Sequence, residues 1–217
     1  MRDSLRHKRK SEFEALAGPD LCALDPNGGV LVVTTYWRPR TGDPNPEMPG
    51  EKLSALSYLP TDAQDQCRCG SGRCFGNCCQ LLPYWRPVCP NPGMQGYSLL
   101  RPQSARLPLF SNEAVVDFLH NDERLYCVEE NPHQIHWLYW GDPALDELPY
   151  GTLSFGDLEL RDHRSLLIST LSDVRLETFL DLLRPLHLGR PKKQRDPLPR
   201  LPKPGQRASG GKHQPSS

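Results

Sequence analysis

The sequence predicts an α+β fold: a small antiparallel sheet flanked by two helices, with a cysteine-rich knuckle region ahead of it and a disordered, basic, Pro-rich tail behind. Three observations predict it. Short β-branched and aromatic runs between residues 124 and 169 are joined by links far too short for the dozen or more residues of a parallel crossover. Helical apolar periods lie on either side of those runs. From Leu186 onward, LHLGRPKKQRDPLPRLPKPGQRASGGKHQPSS, Pro and Gly interrupt every apolar pattern, so the segment buries too little to offset its ordering entropy.

In chain order, residues 1–28 read as an N-terminal arm, with a short helix over 4–16 built on Leu5, Phe13 and Leu16 and stopped by Gly18-Pro19. Region 29–62 begins after the turn-forming Asp25-Pro26-Asn27-Gly28 with a strand over 30–36, and the Pro/Gly-rich RPRTGDPNPEMPG ends that strand. The knuckle spans 63–90 and the α+β region 91–188. Within the latter, Ser111 caps a helix that runs to about His120 with Val115, Phe118 and Leu119 on one face. Strands follow over 124–128, 134–140, 152–155, 158–160 and 166–169. Ser172-Asp173 then supplies a cap and an acidic first turn for a second helix carrying Val174, Leu176, Phe179, Leu180, Leu182 and Leu183, which ends near Arg184-Pro185. Residues 189–217 complete the tail.

Composition narrows the function classes. The chain has 217 residues, 37% hydrophobic, with no apolar stretch approaching the ~18–20 residues of a membrane span. Its basic start is followed by SEFEALAGPD where a signal peptide has its apolar stretch, which predicts a protein that stays in the cytoplasm. The 26 Lys+Arg balance 26 Asp+Glu only in sum. Residues 1–10 hold five Lys/Arg against one Asp, residues 11–183 hold 12 against 24, and residues 184–217 hold nine against Asp196 alone. An acidic body thus carries two basic ends.

Five of the eight cysteines fall in Cys67-Arg-Cys69-Gly-Ser-Gly-Arg-Cys74-Phe-Gly-Asn-Cys78-Cys79. Two close pairs eight residues apart can converge four thiolates on one point, the donor set of structural Zn²⁺. Gly70, Ser71 and Gly72 permit the tight turn after the first pair, and Phe75 can pack over the knuckle as a small private core. Arg68, Arg73 and Arg86 are near enough in sequence to moderate the −2 charge of zinc with four thiolates. A disulfide knot and an iron–sulfur cluster are the alternatives; a reducing compartment disfavours the first and the spacing the second. Four thiolates close the zinc shell, so one structural ion with no catalytic role is expected.

CRCGSGRCFGNCC resembles the SEC-C motif, the zinc-binding element of the C-terminal tail of the SecA translocation ATPase, found in many bacterial proteins. The resemblance covers about residues 65–81. It places Cys67, Cys69, Cys78 and Cys79 on the four zinc ligands, Gly70-Ser71-Gly72 on the turn and Phe75 on the aromatic position. Cys74 departs from the basic or polar residue usual there and stands as an alternate ligand or a free thiol. No G-x-x-x-x-G-K-[ST] is present, so the ATPase is not implied. What the resemblance implies is a protein-interaction or adaptor module, since SecA's element docks a chaperone and anionic lipid or ribosomal surfaces. GTLSFGDLEL and SLLISTLSDVRLETFLDLL are also loosely similar to a strand–strand–helix region that accompanies the motif in some bacterial proteins.

Other candidates have plainer readings. Cys127 reads as a small buried hydrophobe within a strand and Cys22 and Cys89 as ordinary thiols, with reach to the metal as the alternative for Cys89. His133 and His136 straddle a turn and a strand and lack the Glu of H-E-x-x-H. Glu129, Glu130, Asp142, Asp146 and Glu147 read as a solvated acidic face rather than an acid/base pair. Ile135 to Trp140 reads as a strand whose rings pack on the helices, with a stacking platform for nucleobases as the alternative. The tail's Lys/Arg could contact nucleic-acid or ribosomal phosphates, which makes a nucleic-acid-binding accessory protein the second function and an unrecognised hydrolase the third.

Overall fold

The structure, a computed structural model, describes residues 24–38, 51–94, 96–140, 152–162 and 164–204. It corrects the expected fold class. The protein is mostly β, 44% strand and 19% helix, with three sheets of five, two and six strands and two α-helices among the described residues. The expected helix over 4–16, Cys22, the loop after residue 38, and Asp142, Asp146 and Glu147 lie outside the described residues.

The first sheet is built on β1 (Gly29–Arg38), which pairs along its whole length with antiparallel β2 (Glu51–Pro60), from Gly29 opposite Pro60 to Arg38 opposite Glu51. Two short strands, β3 (Tyr84–Trp85) and β4 (Val88–Pro90), follow the knuckle. On its other edge β1 meets β4 in parallel at Val32–Val88, and β4 pairs with β5 (Tyr97–Leu99). The second sheet contains β6 (Gln103–Pro108), then α1 (Glu113–His120), β7 (Leu125–Asn131) and β8 (Gln134–Tyr139). β9 (Thr152–Ser154) returns to β1 at Trp37, Tyr36 and Thr35, whereas β10 (Gly156–Arg161) and β11 (Ser165–Thr170) join the second sheet. Phe155, fully buried, is where the chain passes from one sheet to the other.

α2 (Asp173–Leu182) starts as the sequence predicts, the Ser172 hydroxyl accepting from the Arg175 amide. α1, by contrast, has Asn112 rather than Ser111 at its cap, with no side-chain hydrogen bond there. Both helices lie on the alternating apolar face of the second sheet. Val115, Leu119, Leu176, Phe179 and Leu182 share one buried cluster with Ala105, Leu107, Trp137, Leu158, Leu160, Leu166 and Ile168. The Phe179 ring sits so close to Gly156 that a Cβ there would be 2.8 Å from a ring carbon, which makes this a glycine position.

The tail up to residue 204 is the second correction; residues 205–217 lie outside the described residues. β12 (Lys192–Arg195) pairs with the edge of β6, and β13 (Leu201–Pro202) pairs with β3. The second sheet therefore runs β12-β6-β11-β10-β8-β7. Backbone hydrogen bonds to an open edge require no apolar pattern, so a fully exposed KKQR strand leaves no periodic trace in sequence. Leu201 provides an apolar anchor, packing with Leu31 and Trp85.

Two buried charges tie the layers together. Arg175 is fully buried and donates from Nε and Nη2 to the Pro90 carbonyl at 2.9 and 2.6 Å and from Nη1 to Phe155 O at 3.4 Å, its guanidinium lying over the Phe155 ring. Asp157 points to the opposite face of the second sheet, where it pairs with Lys52 of β2 and with His136 Nε2 at 3.2 Å, while Trp37 sets its ring edge-on to His136. Burial works against the Asp157 carboxylate, but Lys52 and His136 outweigh it and hold its pKa at about 2.

A folded-state pKa below the unfolded value near 4 means this stabilisation is present above pH 4 and is lost as pH falls from 4 to 2. Denaturant unfolding across that range should show a loss of about 2 kcal/mol that Asp157→Asn removes from the pH profile. An unchanged profile in the variant would show that Asp157 is not the linked group.

Candidate metal centre

The knuckle connects β2 to β3 and is ordered by its own backbone. Phe75 N donates to Asp65 O and Cys67 N to Arg73 O, both at 2.8 Å, and Gly76 N to Ala63 O at 2.8 Å. Gly70 and Gly72 have φ of +77° and +73°, and a Cβ would meet nothing within 4 Å of either. Their requirement is therefore for the left-handed backbone and not for space. Two 3₁₀ turns, Phe75–Asn77 and Cys79–Leu81, then carry the second cysteine pair.

The four predicted ligands come together. The sulfurs of Cys67, Cys69, Cys78 and Cys79 all lie within 4.8 Å of one another, with Cys69–Cys78 at 3.6 Å and Cys78–Cys79 at 4.0 Å. Tetrahedral zinc with Zn–S bonds of about 2.3 Å sets its sulfurs about 3.8 Å apart, so the donor set fits a metal ion of that size. All the described cysteines are free thiols. The Ser71 hydroxyl lies 3.2 Å from Cys78 Sγ. Backbone amides add further donors: those of Cys69 and Cys79 reach Cys67 and that of Ser71 reaches Cys69.

These contacts govern the thiols' protonation. The Cys79 thiol donates to Cys67 and, with the backbone amides, holds the Cys67 pKa at about 4. Cys79 is pushed up, first by that same hydrogen bond and then by burial, and burial also raises Cys69. The protein alone thus accommodates one thiolate readily and opposes the next, and a bound cation reverses that preference.

Phe75 packs on the knuckle cysteines, but not in a private core. It is 1% exposed and shares a cluster with Cys67, Cys69, Cys79 and the sheet residues Val30, Val32 and Val88. The ligands therefore rest on the first sheet. Cys74 lies outside the converging set; its backbone bridges Gln66. Cys89 is fully buried beside Val33 and Leu100, with its thiol 3.7 Å from Leu171 O, away from the site. Among the arginines, Arg68 lies over the Tyr97 ring.

One residue of the site has no sequence signal at all. Lys203, only 2% exposed, donates from Nζ to the carbonyls of Gln80 at 3.0 Å and Cys79 at 3.4 Å and to Asn27 Oδ1 at 3.3 Å. Burial lowers its pKa, and the charge of Cys79 acts against that. A cation thus sits behind the thiolates, delivered by the far end of the chain. No other candidate cluster forms from the predicted residues His133 and His136: His136 is committed to Asp157, and His133 lies in the exposed turn between β7 and β8.

Trp137 and Tyr139 are buried and pack on His120, Phe155 and Phe179, which leaves Trp140, stacked with Tyr126, as the partly open ring of that run. No described helix is long and apolar enough to cross a membrane. Comparison of the chain with protein-family models, curated proteins and solved structures finds no match.

Replacing Lys203 by Met removes the cation but keeps the length of the side chain. Competition against a chelator should then show zinc affinity reduced about 10-fold, the lower end for partners that support metal ligands. Equal affinity in both chains would show that the lysine holds the tail alone.

Proposed function

We propose that this chain is a zinc-binding, SEC-C-type interaction module of a reducing bacterial cytoplasm, in which one structural zinc held by Cys67, Cys69, Cys78 and Cys79 fixes a surface that docks a protein partner. The reading assigns no catalysis, because four thiolates leave no open coordination position for a substrate or water. The observation that carries it is Leu81. This side chain is 73% exposed, two residues beyond the buried Cys79, while the next leucine packs inward against the knuckle cluster. An apolar side chain held out on a rigid turn loses little conformational entropy when a partner covers it.

The nucleic-acid reading has less support, because five of the tail's nine cations are engaged within the chain. Lys193 bonds Glu177, Arg195 pairs with Asp173, Arg184 pairs with Asp181, Arg200 lies over Tyr84 and Lys203 is buried. Phosphate binding would have to displace these partners.

The test is retention of proteins from a nuclease-treated bacterial lysate on the immobilised full chain. Leu81→Asp should keep its zinc and lose the proteins retained by the native chain, and Cys78→Ser with Cys79→Ser should lose both. Retention unaffected by Leu81→Asp, or retention only of nucleic acid when nuclease is omitted, would contradict the reading.

A further inference from the structure

The face of the second sheet that α1 covers carries a second group of metal-binding side chains, unrelated to the knuckle. Cys127 and Glu130 are three residues apart in β7, and an uninterrupted strand would point them to opposite faces. The register of β7 on β8 shifts between Cys127 and Glu129, so that Cys127 lies opposite Trp137 and Glu130 opposite Ile135. Trp137 and Ile135 are two apart and share a face; the inserted Val128 therefore brings Cys127 and Glu130 to that same face. His120, the last residue of α1, lies over it with its ring 5.4 Å from that of Trp137. The three donor atoms fall within 4.8 Å of one another, and His120 Nε2 is 3.7 Å from Glu130 Oε2.

We infer that His120, Cys127 and Glu130 form a second, open metal site that takes a borderline divalent transition-metal ion such as zinc. One thiolate, one imidazole and one carboxylate select such an ion over magnesium or calcium, which take oxygen ligands. Three protein ligands leave a coordination position for water, and the side chains of His120 and Glu130 are 31% and 59% exposed, so the position faces solvent. The last turn of α1 also presents the negative end of its dipole to the ion. Binding of the ion to Cys127 as thiolate releases the thiol proton to solvent. The bulge that looks like an irregularity of the strand is what assembles the site.

Cobalt titration of the reduced full chain reads the two sites separately, through metal stoichiometry and thiolate-to-cobalt charge transfer. The native chain should bind two equivalents. Cys127→Ser should bind one, with the four-thiolate spectrum, and Cys78→Ser with Cys79→Ser should bind one, with a single-thiolate spectrum. His120→Gln, a surface change that leaves the strand intact, should weaken the second equivalent at least 10-fold. Saturation of the native chain at one equivalent with a four-thiolate spectrum would overturn the site, as would a second equivalent indifferent to both His120→Gln and Cys127→Ser. A native chain binding one equivalent with a single-thiolate spectrum would instead sink the knuckle reading and leave this site standing.

Discussion

Four cysteine sulfurs within 4.8 Å of one another cannot all be thiolates unless a cation lies between them. Two like charges about 4 Å apart repel by about 4 kcal/mol at the effective dielectric of a protein surface, and the knuckle contains several such pairs. The opposing shifts of Cys67 and Cys79 express the same constraint, because the first thiolate is stabilised at its neighbour's expense. A divalent ion bound there would convert that repulsion into attraction. What surrounds it follows: the left-handed Gly70 and Gly72 aim the first pair, the 3₁₀ turns aim the second, and Phe75 seats the assembly on β1 and β4.

Charge is managed over long distances in this molecule. The acidic body and the basic tail are separate in sequence but not in space. Glu177 and Asp173 on α2 meet Lys193 and Arg195 on β12, and Lys203 reaches the carbonyls behind Cys79. The surface pairs contribute little individually. Lys203 is different, since it is buried and bonded to the carbonyls of Cys79 and Gln80, which ties the last described strand to the knuckle. Arg175 and Asp157 do for the two large sheets what Lys203 does for the tail, each using a buried charge to join elements distant in the chain.

The site was legible in the sequence and much of the fold was not, for the same physical reason. The knuckle is local: thirteen residues contain the ligands, the turn and the aromatic, and spacing alone reports them. Strands 134–140 and 166–169 and the helix begun by Ser172 were legible from periodic apolar burial, and strand 30–36 from a β-branched run, Val30 to Val33, that is buried on both faces. EKLSALSYLP was not, although its pairing with β1 is the longest in the first sheet, because its side chains from Lys52 on remain partly or largely exposed. Tyr84–Trp85, Val88–Pro90 and Lys192–Arg195 are defined by which edge they meet, and prolines at 83, 87, 90 and 191 masked them as loop. The tail's disorder was inferred from its lack of apolar burial; hydrogen bonding to β6 and one buried lysine proved sufficient to place it. Cys127 reads as a strand hydrophobe and packs as one against the core of the second sheet, but nothing in LYCVEEN announces the bulge beside it.

The account stands or falls on the ion at the knuckle. Zinc-edge X-ray absorption of the purified chain carrying Cys127→Ser, which leaves the knuckle as the sole thiolate cluster, measures it directly. The account predicts one zinc per chain with four sulfurs at about 2.3 Å. No stoichiometric metal, iron in its place, or a shell containing nitrogen or oxygen would contradict it.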